Sequence, residues 1–151
     1  MKYKHEVGVI LDQHQNILQI VDGEIAHVTF PAADILKYHK DNPGFIYALA
    51  HTHPPMSPYL SRRDHNLLKG FAHAISPYPM RMIVGSQDEP NSKKFRFTLY
   101  FAQLESIEAW EERGKEGPRK YEVIGEDTWV TDMDGFLPEW IRLLVERSYE
   151  K

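Results

Sequence analysis

Residues 45–64 read FIYALAHTHPPMSPYLSRRD and join a strand pattern to a helix pattern. The apolar run that opens this stretch predicts a buried strand over residues 45–53. Pro54 and Pro55 end the strand, because proline has no N–H to donate to a ladder. Residues 61–75 then repeat apolar side chains at helical spacing, which predicts a helix. We take this strand–loop–helix unit as the centre of the fold.

Further strand and helix patterns flank this unit on both sides. Together they predict a single domain of the α/β or α+β class, with a central mixed sheet flanked by helices. Strands are predicted over residues 6–12, 17–23, 24–30, 79–86, 93–104, 121–125 and 128–130. Helices are predicted over residues 31–40, over the first part of 105–119, and over 136–151, where an amphipathic stripe surrounds Trp140.

Composition narrows the function classes. A chain of 151 residues is long enough for one domain with a real core. The net charge of −4 and the absence of a basic patch argue against nucleic acid as a partner. There are no cysteines, so a metal site must use His, Asp or Glu. The first apolar run is broken at Asp12, too early for a signal peptide or a membrane span, and we expect a cytoplasmic protein with no membrane partner.

Two histidines and an aspartate predict a metal site. His51 and His53 are two residues apart, so on a strand their side chains leave the same face. Asp64, in the first turn of the following helix, is a candidate third ligand. Two nitrogens and one carboxylate leave a fourth position for water, as catalytic zinc sites do. Glu6, at the head of the first predicted strand, is the candidate base, and Ser61 is a candidate oxyanion donor.

Each of these residues also has a purely structural interpretation. Ser61 and Asp64 have the spacing of a helix capping box. His51 and His53 could be polar residues where a strand leaves the core, and Glu6 could be an ordinary residue at an exposed strand end. The joint occurrence of both histidines with Asp64 favours the metal site.

The full pattern is His51-x-His53-x7-Ser61-x2-Asp64, with Pro54 after the second histidine and a glutamate upstream beside a Val-Gly pair. It resembles the JAMM motif of the JAB/MPN metalloprotease family. The order of elements over residues 4–104 is also similar to the RadC-like branch of that family. The resemblance implies a JAB/MPN-like, cytidine-deaminase-like architecture. Residues 1–104 would form the metal-binding core and residues 105–151 a C-terminal extension of the same domain.

The resemblance also implies roles for individual residues. His51, His53 and Asp64 would hold Zn²⁺, although iron, cobalt and manganese suit the same ligands. Ser61 would stabilise the tetrahedral intermediate. The upstream glutamate would be the general acid and base, with Glu24 as the alternative to Glu6.

The implied function is zinc-dependent hydrolysis of amide bonds. The substrate would be a protein or peptide, with the tail of a ubiquitin-like protein as the usual choice in the family. Two alternatives stay open at this point. One is a non-catalytic MPN scaffold that binds a partner protein, and the other is a RadC-like protein of unsettled activity. The sequence does not specify the oligomeric state.

Overall fold

The computed structural model describes residues 1–150, and within them the chain forms eight strands and four helices. The strands are β1 (Lys2–Tyr3), β2 (Val7–Asp12), β3 (Ile17–Asp22), β4 (Ile46–Thr52), β5 (Met80–Gln87), β6 (Lys94–Leu104), β7 (Tyr121–Asp132) and β8 (Tyr149–Glu150). The helices are α1 (Ala32–Asp41), α2 (Arg62–Ala74), α3 (Ile107–Glu112) and α4 (Glu139–Ser148).

Six strands form one mixed sheet in the order β3-β2-β4-β5-β6-β7. The β4–β5 pair is parallel and the other neighbours are antiparallel. The parallel pair requires a crossover, and α2 supplies it. Strands β1 and β8 pair separately as a two-stranded ribbon. The predicted single α+β domain with a central mixed sheet is therefore confirmed.

The sheet is covered on both faces, because alternate residues of its central strands are apolar on each side. On one face Leu49 of β4 belongs to an apolar cluster with Ile35 of α1 and Leu68 of α2. On the other face Ala50 of β4 belongs to a cluster with Leu144 of α4. From Ala48 to the end of β4, odd-numbered residues thus face α1 and α2, and even-numbered ones face α4. This alternation decides which side each polar residue at the end of β4 occupies.

The strand predicted over residues 24–30 is wrong. The chain turns at Gly23, where the N–H of Glu24 bonds to the carbonyl of His27, and continues as a loop. Val28 and Phe30 are buried against the face that carries α1 and α2. Their apolar character, which predicted a strand, comes from this packing.

The predictions for the last third of the chain need three corrections. Residues 121–125 and 128–130 form one strand, β7, because its pairing with β6 continues through a single irregularity. The helix predicted at the start of 105–119 is short, since α3 covers only Ile107–Glu112. The last helix ends at Ser148, because Tyr149 and Glu150 pair with Tyr3 and Lys2. The end of that prediction, residue 151, lies outside the described residues.

Candidate metal centre

The end of β4 carries His51 and His53 on the face covered by α1 and α2. Both side chains are buried, with residue exposures of 0% and 5%. In the β2–β4 ladder Gly8 lies opposite His51. The same antiparallel register, continued by two residues, brings Glu6 opposite His53 and onto the same face. Strand pairing therefore brings the upstream glutamate to the histidines.

The two imidazoles meet Asp64, which is held in the first turn of α2. The Nε2 atom of His51 lies 3.1 Å from Oδ1 of Asp64, and Nε2 of His53 lies 3.1 Å from Oδ2. The two Nε2 atoms are 2.9 Å apart. Ligands about 2.0–2.1 Å from a tetrahedral zinc ion lie about 3.3 Å from one another. The three side chains thus have the spacing of ligands around one small cation.

Glu6 approaches the same point from β2. Its carboxylate, His51 and His53 offer ligand atoms that all lie within 4.8 Å of one another, and Glu6 is only 4% exposed. This buried group could bind a metal ion. Two carboxylates therefore compete for the third ligand position, and Asp64 lies closer to both imidazoles. Glu24, the alternative base, is exposed, and it contacts Glu6 only through the main chain.

Hydrogen bonding distinguishes the two histidines. Nδ1 of His53 lies 2.9 Å from the carbonyl of Ser57 and must donate to it, so a neutral ring carries its lone pair on Nε2. Nδ1 of His51 is buried without a partner in residues 1–150. With His53 neutral, its Nε2 lone pair faces the carboxylate oxygens of Asp64. A proton on Nε2 of His53 relieves this contact as an ion pair with Asp64, and a metal ion held by both imidazoles and the carboxylate would relieve it as well.

The pKa values reflect the same crowding. Burial lowers the pKa of His51 and outweighs the carboxylate of Asp64. Burial also disfavours a charged His53, but the hydrogen bond and charge of Asp64 and the charge of Glu6 leave its pKa raised. For Asp64, the cost of burial is exceeded by hydrogen bonds from both histidines, and its pKa is lowered. Burial raises the pKa of Glu6 to about 7, with His53 opposing the shift.

The capping box predicted as an alternative for Ser61 and Asp64 is present together with the histidine contacts. The Ser61 hydroxyl accepts the N–H of Asp64 at 3.1 Å, and the Ser61 N–H donates to Oδ2 of Asp64 at 3.0 Å. These bonds orient the carboxylate towards His51 and His53. They leave the hydroxyl proton of the exposed Ser61 free to donate to another group.

Gly8 provides the space behind His51. A Cβ atom at Gly8 would lie 2.8 Å from Cζ of Phe30, which is closer than carbon atoms pack. The ring of Phe30 meets the His51 ring edge to face, with centroids 6.0 Å apart. The glycine beside Val7 therefore lets an aromatic ring pack directly over β2 and hold His51 in place.

Sequence reasoning missed the groups that support the site. These are the carbonyl of Ser57, the hydroxyl of Thr52 between the two histidines, and Ser148 and Tyr149 near the end of the chain. Thr52 could have been suspected from strand alternation, because it points away from the histidines. Ser148 and Tyr149 carry no signal in sequence, since they lie 96 residues from the groups that they contact.

Neither a comparison with models of known protein families nor a comparison with curated proteins gives a match. Within residues 1–150, no helix is both long and apolar enough to span a membrane.

Proposed function

We propose that this protein is a zinc-dependent hydrolase of amide bonds, of the isopeptidase or peptidase type. The observation that carries the proposal is the convergence of His51, His53 and Asp64 at 2.9–3.1 Å, with Glu6 beside them. Two imidazoles and a carboxylate are a common ligand set for catalytic zinc. A second carboxylate next to such a set is what general acid–base catalysis requires.

In this proposal His51, His53 and Asp64 hold the ion and Glu6 stays free of it. The distances support this division, because Asp64 is 3.1 Å from each Nε2 atom while Glu6 is held only within 4.8 Å. When bound, zinc would supply Lewis acidity, which polarises a carbonyl and makes a water molecule more acidic. The ions of iron, cobalt and manganese remain competitors for the same ligands.

Glu6 is the proposed proton carrier. In the metal-free chain burial raises its pKa to about 7, so this carboxyl holds a proton more readily than an exposed glutamate does. Ionised Glu6 takes a proton from the attacking water, and protonated Glu6 returns it to the leaving amine. Burial, which is the main cause of the raised pKa, also keeps competing water away from the carboxyl group.

Ser61 is the proposed donor to the oxyanion. Its hydroxyl oxygen is occupied as an acceptor in the capping box, which directs the remaining proton away from α2. A donor that is already oriented stabilises developing negative charge without reorganisation. Ser61 is exposed, so the carbonyl of a large substrate can approach it from solvent.

The proposed substrate is a protein tail, as the resemblance to JAB/MPN metalloproteases implies. Met56 and Tyr59, in the loop that follows His53, are 63% and 66% exposed and offer apolar contacts beside the site. An extended peptide tail could lie along such a loop.

The test uses three proteins purified without added metal: wild type, His53→Ala and Glu6→Gln. Elemental analysis should find one zinc per chain in wild type and in Glu6→Gln, and none in His53→Ala. Ubiquitin carrying a fluorogenic amide on its C-terminal carboxyl is the probe for hydrolysis. Wild type should cleave it, and Glu6→Gln should be slower by about 10²–10⁴-fold.

Three results would contradict parts of the proposal. A wild-type protein without any metal would remove the metal centre. Cleavage by Glu6→Gln at the wild-type rate would show that Glu6 is not the base. Glu24→Gln would then be the next variant to test. Bound metal without cleavage of the probe would favour the non-catalytic scaffold.

A further inference from the structure

The face of β4 that looks away from the histidines is joined by hydroxyl groups to the end of α4. Ser148 donates its hydroxyl proton to the carbonyl of Leu144 at 2.7 Å, so it must accept the hydroxyl proton of Thr52. The Thr52 hydroxyl in turn accepts the N–H of Val7 at 3.1 Å. One directed series of hydrogen bonds thus links Val7, which follows Glu6, to the residue between the two histidines.

Tyr149, the residue after Ser148, reaches the main chain of His53 itself. Its hydroxyl donates to the His53 carbonyl at 2.8 Å and accepts the N–H of Gln87 at 3.3 Å. Tyr149 is 1% exposed and Gln87 is fully buried. The ring of Tyr149 packs edge to face on Phe95, with centroids 4.8 Å apart, so the Tyr149 hydroxyl has little freedom to move.

The Tyr149 hydroxyl takes the place of one backbone hydrogen bond that is absent between β4 and β5. The N–H of His53 bonds to the carbonyl of Gly85 at 2.8 Å, as a parallel ladder requires. The next bond of such a ladder would run from the N–H of Gln87 to the carbonyl of His53. Instead, the Tyr149 hydroxyl lies between these two groups and bonds to both. The strands can separate here, where Pro54 begins the loop, while both main-chain groups keep a partner.

We propose that Tyr149 is a positioning residue of the metal centre, whose hydroxyl holds the main chain of the ligand His53 between β4 and β5. The inference rests on the proposed role of His53 as a ligand. The carbonyl of Ser57 fixes the His53 ring from one side, and Tyr149 fixes its main chain from the other. Groups that orient metal ligands in this way typically contribute about 10–100-fold to metal affinity.

The test is Tyr149→Phe, which keeps the ring and removes only the hydroxyl. Tyr121→Phe is the matched control, because its hydroxyl is also buried but has no partner among residues 1–150. Each protein is loaded with Co²⁺, whose visible absorption reports ligand geometry, and its metal affinity is measured by competition with a chelator of known affinity. Tyr149→Phe should show shifted absorption bands and a metal affinity about 10–100-fold below wild type. Tyr121→Phe should match wild type in both measurements.

An unchanged spectrum and unchanged affinity in Tyr149→Phe would overturn the proposal while leaving the proposed hydrolase intact. If wild type binds no Co²⁺ or Zn²⁺, the proposed function fails, and positioning is then tested on metal-free proteins. There, the imidazole ¹⁵N signals of His53 should shift in Tyr149→Phe and not in Tyr121→Phe, and equal signals would overturn it. If Tyr149→Phe does not fold, amide exchange of Gln87 in wild type decides, since an unprotected amide excludes the bridge.

Discussion

The two faces of β4 differ in the kind of polar group that they gather at the end of the strand. On one face, His51 and His53 meet Asp64 at 3.1 Å, and these groups can share either a proton or a metal ion. On the other face, the hydroxyl of Thr52 both donates and accepts, and its partners Val7 and Ser148 satisfy it fully. The first face is suited to chemistry and the second to rigidity. Since the two sets are connected through the backbone and not through their side chains, substitutions should separate metal binding from stability.

Of the substitutions that test the two faces, Asp64→Asn is expected to have the largest effect, a loss of metal affinity. Asparagine has nearly the same volume and retains an oxygen for the Ser61 N–H, but it lacks the negative charge that faces the two imidazoles. Loss of a direct ligand should exceed the roughly 100-fold reduction in metal affinity that loss of a supporting group causes. Competition with a chelator of known affinity measures it. If the Asp64→Asn variant binds Zn²⁺ as tightly as wild type, Asp64 is excluded as a ligand and Glu6 is favoured in its place.

The pH dependence of the free energy of unfolding tests the buried carboxyl of Glu6 beside the two histidines. The carboxyl of Glu6 has an ordinary pKa of 4.5, and burial raises it to about 7 in the folded chain. Between these values the folded state holds the proton more tightly than the unfolded state does. The stability that this proton contributes is therefore present at low pH and lost as pH rises through the window.

Glu6→Gln should remove this loss in the metal-free protein. At about pH 8 the variant should be more stable than wild type by about 1–3 kcal/mol, and near pH 5 the difference should be small. Urea unfolding in EDTA at the two pH values measures the free energy of unfolding. A difference that is the same at both pH values would show that Glu6 titrates normally.

Thr52→Val tests the opposite face of the strand. Valine keeps the shape of threonine, but the N–H of Val7 then loses its buried acceptor. The free energy of unfolding should fall by about 1–3 kcal/mol, while one metal ion per chain is retained. Thr52→Ser, which keeps the hydroxyl, is the control and should lie close to wild type. If Thr52→Val instead abolished metal binding at temperatures where it is folded, the two faces would not be separable.

Ser61→Ala is expected to change stability and metal affinity the least. The substitution removes the side-chain half of the capping box and should cost about 1 kcal/mol of stability. The carboxylate of Asp64 keeps the N–H of residue 61 as a partner, so metal affinity should change little. Thermal unfolding and chelator competition measure the two quantities. Hydrolysis by this variant at the wild-type rate would remove Ser61 from the catalytic proposal.

Local patterns predicted the elements that carry the site. The strand ending in His51-x-His53, the break at Pro54 and the helix containing Asp64 all depend on residues close together in the sequence. Strand alternation placed the two histidines on one face, and the structure does so. The capping box was also readable from spacing alone. What this spacing could not settle is whether Asp64 only caps the helix or also meets the histidines, and its carboxylate in fact does both.

Other parts of the fold could not be predicted because their cause lies elsewhere in the chain. Residues 24–30 have the composition of a strand, but they form a loop from which Val28 and Phe30 pack over Gly8. The length of β7 depends on its long pairing with β6, which the weak pattern of its own residues does not indicate. Tyr149 and Glu150 leave the helix pattern because Tyr3 and Lys2 offer them a strand partner.

The sequence by itself determined the candidate ligands, His51, His53 and Asp64, since strand and helix periods act over a few residues. Only the tertiary structure decided that Glu6 rather than Glu24 lies beside them, because the β2–β4 register buries one and leaves the other in solvent. Only the tertiary structure could bring the hydroxyl of Tyr149 to the carbonyl of His53. Long-range pairing depends on the packing of the whole sheet, and no short stretch of the chain encodes it.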